Sequence, residues 1–304
     1  MKLGKLRRRA GEGGVIDRRA EGPTGGGAGF GGLPIPMGKG GIGIGGLVVL
    51  LLLVFVLPRC LGSDGGFGDL GGALDPFGAD AGAGQGSTQV VDPNDPTAVF
   101  VGAVLEDAQF VWTDIFERAG LTYEDTEIVL FRGSTTSGCG PASAATGPFY
   151  CPADRLIYLD ASFFQELEDR FGAEGDFAEA YVIAHEVGHH IQTLLGTNEE
   201  VQRRSQEDPS LRNELSVRLE LQADCFAGVW GRSLQSAGIL SPGDIEEGMN
   251  AAQAIGDDRI QEATTGRIDP ESFTHGSAEQ RSTWLRTGLQ VGNPDACDTF
   301  SNPV

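Results

Sequence analysis

Histidine is scarce in this chain of 304 residues: there are four, against 43 Asp and Glu. Lysine stops at Lys39, and every basic residue after it is arginine. The formal net charge is −21, and almost all the acids follow residue 60. Such a field repels phosphate backbones and anionic surfaces, so nucleic acid is not a partner. The excess acid itself reads as a solvated coat. Cysteine is limited to five residues with no C-x-x-C spacing, which argues against a cysteine-ligated zinc. Long apolar runs are limited to one, Ile42 to Leu57, and no internal repeat is evident.

Three of the four histidines fall within Tyr181 to Ile191, in the pattern H-E-x-x-H. On a helix, residues four apart share a face, so His185 and His189 can offer imidazole nitrogens to one metal ion. Glu186 then stands beside them as a general base, the arrangement of zinc hydrolases. Asp176 can cap this helix and Gly196 can close it. Between them Phe177, Tyr181, Ala184, Val187, Ile191, Leu194 and Leu195 form an apolar stripe, so the helix is expected to be buried. Bare imidazoles beside a carboxylate would be costly there without a metal. The alternative is a chance match with satisfied core histidines, which the scarcity of histidine disfavours.

Zinc of this kind needs a third protein ligand and an open fourth position. His275 is far along the chain, in the loop-like Phe273-Thr274-His275-Gly276. The stronger candidate is Glu220, on a helix expected over residues 209–235 with Asp208 as cap. Asp224, four residues on, would accept a hydrogen bond from a ligating histidine and fix its tautomer. Glu220 could instead pair with Arg218 or Arg212 on a wet surface, and Glu214 is the fallback ligand.

The chain divides by composition. Residues 1–41 are basic and glycine-rich and read as a disordered cytoplasmic segment. Residues 42–57 form an uncharged run of about 24 Å as helix, read as a single membrane span with its positive flank inside. A cleavable signal peptide is the rival; the long leader and the missing cleavage site count against it. Residues 58–94 read as a flexible acidic linker, and residues 95–304 as one domain outside the cytoplasmic membrane. Four cysteines lie in that exported domain. Cys139 and Cys151 close a short loop, and Cys225 with Cys297 would tie the second motif helix to the C-terminus. Cys60 follows the apolar run without a lipobox-like stretch.

The domain reads as α+β, mostly helical with a small sheet. Helices are expected over residues 95–119, 162–171 and 244–255, and after the capping box Ser277-Ala278-Glu279-Gln280. Strands are expected over residues 127–131 and 155–160. The second is expected to form the sheet edge that pairs with an extended substrate.

Several stretches together resemble the bacterial family of putative neutral zinc metallopeptidases. They are Val15-Ile16-Asp17-Arg18-Arg19, Cys139-Gly140-Pro141, Gly147 to Pro152, His185 to His190, Glu220 to Cys225, Ile255 to Asp258 and Phe273 to Gly276. The resemblance implies a zincin-like domain with the glutamate ligand on the helix after the H-E-x-x-H helix, and a single membrane anchor. On the residues, Zn²⁺ held by His185, His189 and Glu220 would activate water, with Glu186 moving its proton during hydrolysis of a peptide or protein substrate. His275 is the candidate for stabilising the oxyanion, with Tyr181 and Tyr158 as alternatives, and a loop-bridging role for His275 is also open. His190 lies round the helix and is expected to pack or hydrogen-bond. Two other classes stand beside the enzyme: a zinc-bound, catalytically idle binding module, and a structural envelope protein.

Overall fold

The computed structural model describes residues 1–10, 13–21, 92 and 94–304. All of them fall in one contact unit. The run 42–57 and nearly all of the 58–94 linker lie outside the described residues. Among those residues, no helix is long and apolar enough to cross a membrane.

A four-stranded sheet has the order β1 (Val15–Asp17), β2 (Ile128–Phe131), β6 (Leu156–Asp160), β5 (Phe149–Cys151). β1, β2 and β6 run parallel and β5 is antiparallel at the edge. β2 reads Ile-Val-Leu-Phe without alternation because both of its faces are buried. Ile128 and Leu130 join the main core, while Val129 and Phe131 pack with Cys151 and Tyr158 on the other face. A hairpin of β3 (Ser134–Ser137) and β4 (Gly140–Ser143) precedes β5. The disulfide Cys139–Cys151 ties its turn to that edge strand.

The helices are α1 (Leu3–Ala10), α2 (Pro96–Arg118), α3 (Phe163–Phe171), α4 (Asp176–Leu194), α5 (Thr197–Glu207), α6 (Arg212–Ser236), α7 (Asp244–Ala254), α8 (Asp257–Thr265) and α9 (Ala278–Val291). α2 starts where the Asp95 side chain accepts from Ala98 N at 3.0 Å, with Pro96 in the first helical position. α9 starts at the expected capping box of Ser277 and Gln280. α4 and α6 pack together and carry the candidate site, and α9 packs on α6. The α6–α9 crossing depends on glycine: a Cβ on Gly288 would stand 2.0 Å from the Cys225 carbonyl oxygen. Trp230 on α6 stacks on Phe177 of α4 at 6.0 Å and is fully buried. Burying a side chain of that size contributes about 2–3 kcal/mol. The second disulfide joins Cys225 of α6 to Cys297.

Five expectations need correction. Asp176 does not cap α4: it is the first helical residue, and Gly175 before it holds the cap position without a side-chain bond. The disorder expected for 1–41 does not cover its described part. α1 packs on α2, and β1 completes the sheet because Val-Ile-Asp finds a free edge on β2. The strand of residues 156–160 is interior, flanked by β2 and β5, so the edge on that side is β5. The stretch between the two expected strands holds β3, β4 and β5 rather than loop alone. Asp208 caps a short 3₁₀ turn, Pro209–Leu211, and α6 proper starts at Arg212.

Candidate metal centre

α4 and α6 run past one another at Gly188, where a Cβ would lie 2.9 Å from the Ala223 Cα. The close approach brings Glu220 to the motif histidines. His185 Nε2 is 3.1 Å from Glu220 Oε2, and His189 Nε2 is 3.5 Å from Glu220 Oε1. One ligand atom from each residue lies within 4.8 Å of the others. The two rings stand edge to face, with centroids 4.8 Å apart.

The opposite nitrogens are held from behind. Asp224 Oδ1 accepts from His185 Nδ1 at 2.8 Å, and Gln192 Oε1 accepts from His189 Nδ1 at 2.9 Å. With those protons on Nδ1, each Nε2 is the nitrogen that faces Glu220, and it offers a lone pair to a cation that displaces any proton held there. Gln192 is itself fixed by donating to the Leu219 carbonyl at 2.7 Å. Asp224 is fully buried and receives two further donors, Tyr181 Oη at 2.5 Å and the Arg281 guanidinium.

The site's charges are set by burial against pairing. Burial works against an ionised Glu220, but the imidazoles of His189 and His185 hold its carboxyl well below the usual range. Burial likewise opposes charge on Asp224, and Arg281, then His185, outweigh it. Burial also disfavours a charged His185, yet Asp224 and Glu220 push it up to about 10. Two lone-pair nitrogens and a carboxylate facing one another can be joined only by protons or by a cation. This donor set, two nitrogens and an oxygen, fits zinc.

Glu186 follows His185 on the same helix. Its Oε2 is buried without a hydrogen-bond partner among the described residues. Burial pushes its carboxyl above the usual range, with the imidazoles of His189 and His185 pulling the other way. That direction makes it a better proton acceptor near neutral pH. A buried oxygen with no donor is costly to keep and marks a place for a proton-bearing guest.

His275 stands at the rim, exposed, and close enough to Glu220 for their charges to interact. Asp257, at the start of α8, holds it. Asp257 Oδ1 is 3.2 Å from His275 Nδ1, and Oδ2 accepts from the backbone N–H of Thr274 and His275, both at 2.7 Å. Neither tyrosine offered as an alternative is free for an oxyanion. Tyr181 donates to Asp224, and Tyr158 donates to Asp154 at 2.7 Å on the far face of the sheet. Glu214 pairs with Arg218 at 3.0 Å and stays exposed, so neither the fallback ligand nor the surface pairing of Glu220 is formed. His190 Nε2 donates to the Glu124 carbonyl at 2.6 Å and its Nδ1 accepts from Tyr150 Oη at 3.1 Å. It is a neutral packing histidine, lowered by burial.

Sequence reasoning missed Arg281, Gln192 and Asp257. Arg281 was visible in principle: it interrupts the apolar stripe of Ala278, Leu285 and Leu289 on α9, and a charge in such a stripe needs a buried partner.

No solved structure matches the chain. An uncharacterized protein of Escherichia coli K12, YpfJ, is 45% identical over 295 residues, which is 95% of this chain and 96% of that protein. An uncharacterized protein of Mycobacterium tuberculosis H37Rv is 50% identical over 190 residues, 59% of this chain and 64% of its own length. The family model described as "putative neutral zinc metallopeptidase" matches residues 4–300, and the chain belongs to that family.

Proposed function

We propose that this protein is a zinc metallopeptidase, with Zn²⁺ held by His185, His189 and Glu220. The observation that carries this reading is the convergence of two Nε2 atoms and one carboxylate beside the unpartnered Glu186 Oε2. When bound, zinc supplies Lewis acidity that brings the pKa of a water near neutrality, at about 7. The protein's own groups do the rest. Asp224 and Gln192 keep the imidazoles aimed. Glu186 takes the proton of the attacking water and delivers it to the leaving amine, a role worth roughly 10²–10⁴ in rate. His275, steadied by Asp257, donates to the oxyanion at the scissile carbonyl.

The substrate class is a peptide or protein in extended form. β5 is an edge strand of the sheet and packs against α4, with its Tyr150 backbone near enough to Glu186 to favour the ionised carboxylate, so a substrate strand paired on β5 would pass the base. The two disulfides support a domain outside the cytoplasm, and the run 42–57 is the candidate membrane attachment.

The test compares wild type with Glu186→Gln on a peptide library. Equal zinc content with hydrolysis lost only in the variant supports the enzyme. Equal zinc with no cleavage by wild type would leave an idle binding module in its place.

A further inference from the structure

We infer that residues 1–21 are a strand-donating part of the domain and lie on the same face of any membrane as the metal centre. That placement is incompatible with the single crossing expected over 42–57.

The domain is shaped to receive this segment. β1 pairs in register along β2, Val15 with Ile128 through Asp17 with Leu130. The ladder extends past both ends of the strand, with Ile128 N donating to Gly14 O at 2.7 Å and Arg18 N to Leu130 O at 2.8 Å. On the helix side, Gly102 of α2 clears the path. A Cβ there would stand 2.8 Å from the Gly13 carbonyl oxygen.

The polar contacts are matched too. Arg19 bridges Asp17 at 2.5 Å and Asp95, the cap of α2, at 2.6 Å. Asp107 of α2 is fully buried, and Arg9 of α1 is its ion-pair partner at 3.4 Å. Without α1 that carboxylate would keep, among the described residues, only the Trp230 indole N–H at 2.9 Å. A buried charge left in that state is strongly unfavourable. Leu6 is fully buried in the main core, and Lys2 Nζ donates to the carbonyls of Gly238 and Leu240 just past α6.

A single crossing would put β1, Leu6 and Arg9 in one compartment and β2 and Asp107 in the other. A second copy could not repair this by donating its own segment, since that segment would lie in the wrong compartment as well. Val15-Ile16-Asp17-Arg18-Arg19, a stretch that carries part of the family resemblance, holds the strand and its Arg19 lock.

The test is cysteine labelling of the full-length protein in spheroplasts with a membrane-impermeant maleimide. Cys60→Ser removes the thiol outside the two disulfides, and single reporters are placed at the exposed Glu21→Cys and Glu117→Cys. The expected result is equal labelling of both reporters before lysis. Equal labelling only after lysis keeps the inference and contradicts export of the domain, without touching the peptidase reading. One reporter labelled before lysis and the other only after it would overturn the inference.

Discussion

Arg281 grips Asp224 through two nitrogens, Nε at 2.9 Å and Nη2 at 3.0 Å, while Asp224 accepts from His185 Nδ1 at 2.8 Å. The last helix of the domain therefore sets the aim of a ligand on the first motif helix. Removing the cation, as in Arg281→Met, strips a fully buried carboxylate of its arginine counter-charge, leaving it only the Tyr181 and His185 donors, and is expected to cost about 3–5 kcal/mol. Arg281→Lys loses the two-pronged grip and falls between the two. Asp224→Asn is expected to weaken zinc binding about 10–100-fold. Denaturant titration reads the stabilities, and competition against a chelator reads the metal affinity.

Gly188 sits where α4 and α6 touch. A methyl group there would meet backbone atoms of Ala223 at 2.9 and 3.0 Å, and backbone cannot rotate away. Gly188→Ala is therefore expected to push the helices apart, costing about 1–3 kcal/mol. Zinc affinity should fall with stability, because Glu220 and the histidines are on opposite sides of that contact. Unchanged affinity would show that the spacing of the helices does not set the site.

Glu179 gives the stability a pH dependence. Burial, then the charges of Asp176 and Glu168, raise its pKa from 4.5 to about 7. The folded state thus holds this proton more tightly than the unfolded chain does. Its contribution to stability is complete below about 4.5 and is lost as the pH rises through about 7. Glu179→Gln should leave the melting temperature unchanged at pH 4. At pH 8 it should add about 1–2 kcal/mol, less than the full shift implies because the side chain is partly solvated. No gain at pH 8 would show that the carboxylate is comfortable where it is.

The two helices that build the site were legible because their chemistry repeats at the helical period. His185 and His189, like Glu220 and Asp224, are four apart. The capping box before α9 was legible for the same local reason. What escaped was non-local. Three residues, Val15 to Asp17, in a basic glycine-rich leader carry no strand signal until β2 offers an edge. β6 is interior rather than at the rim because β5, only three residues long, folds back on it. Arg281 and Asp257 act across 57 and 18 residues of chain, on Asp224 and His275, and no spacing rule joins such pairs.

In the proposed site one ion joins α4 to α6. Purified protein stripped by a chelator should hydrolyse no peptide, and stepwise addition of Zn²⁺ should restore hydrolysis until one ion is bound per chain. In Glu220→Ala the same titration should bind zinc far more weakly and restore little. Hydrolysis that survives stripping, or wild type that takes up no zinc, would contradict it.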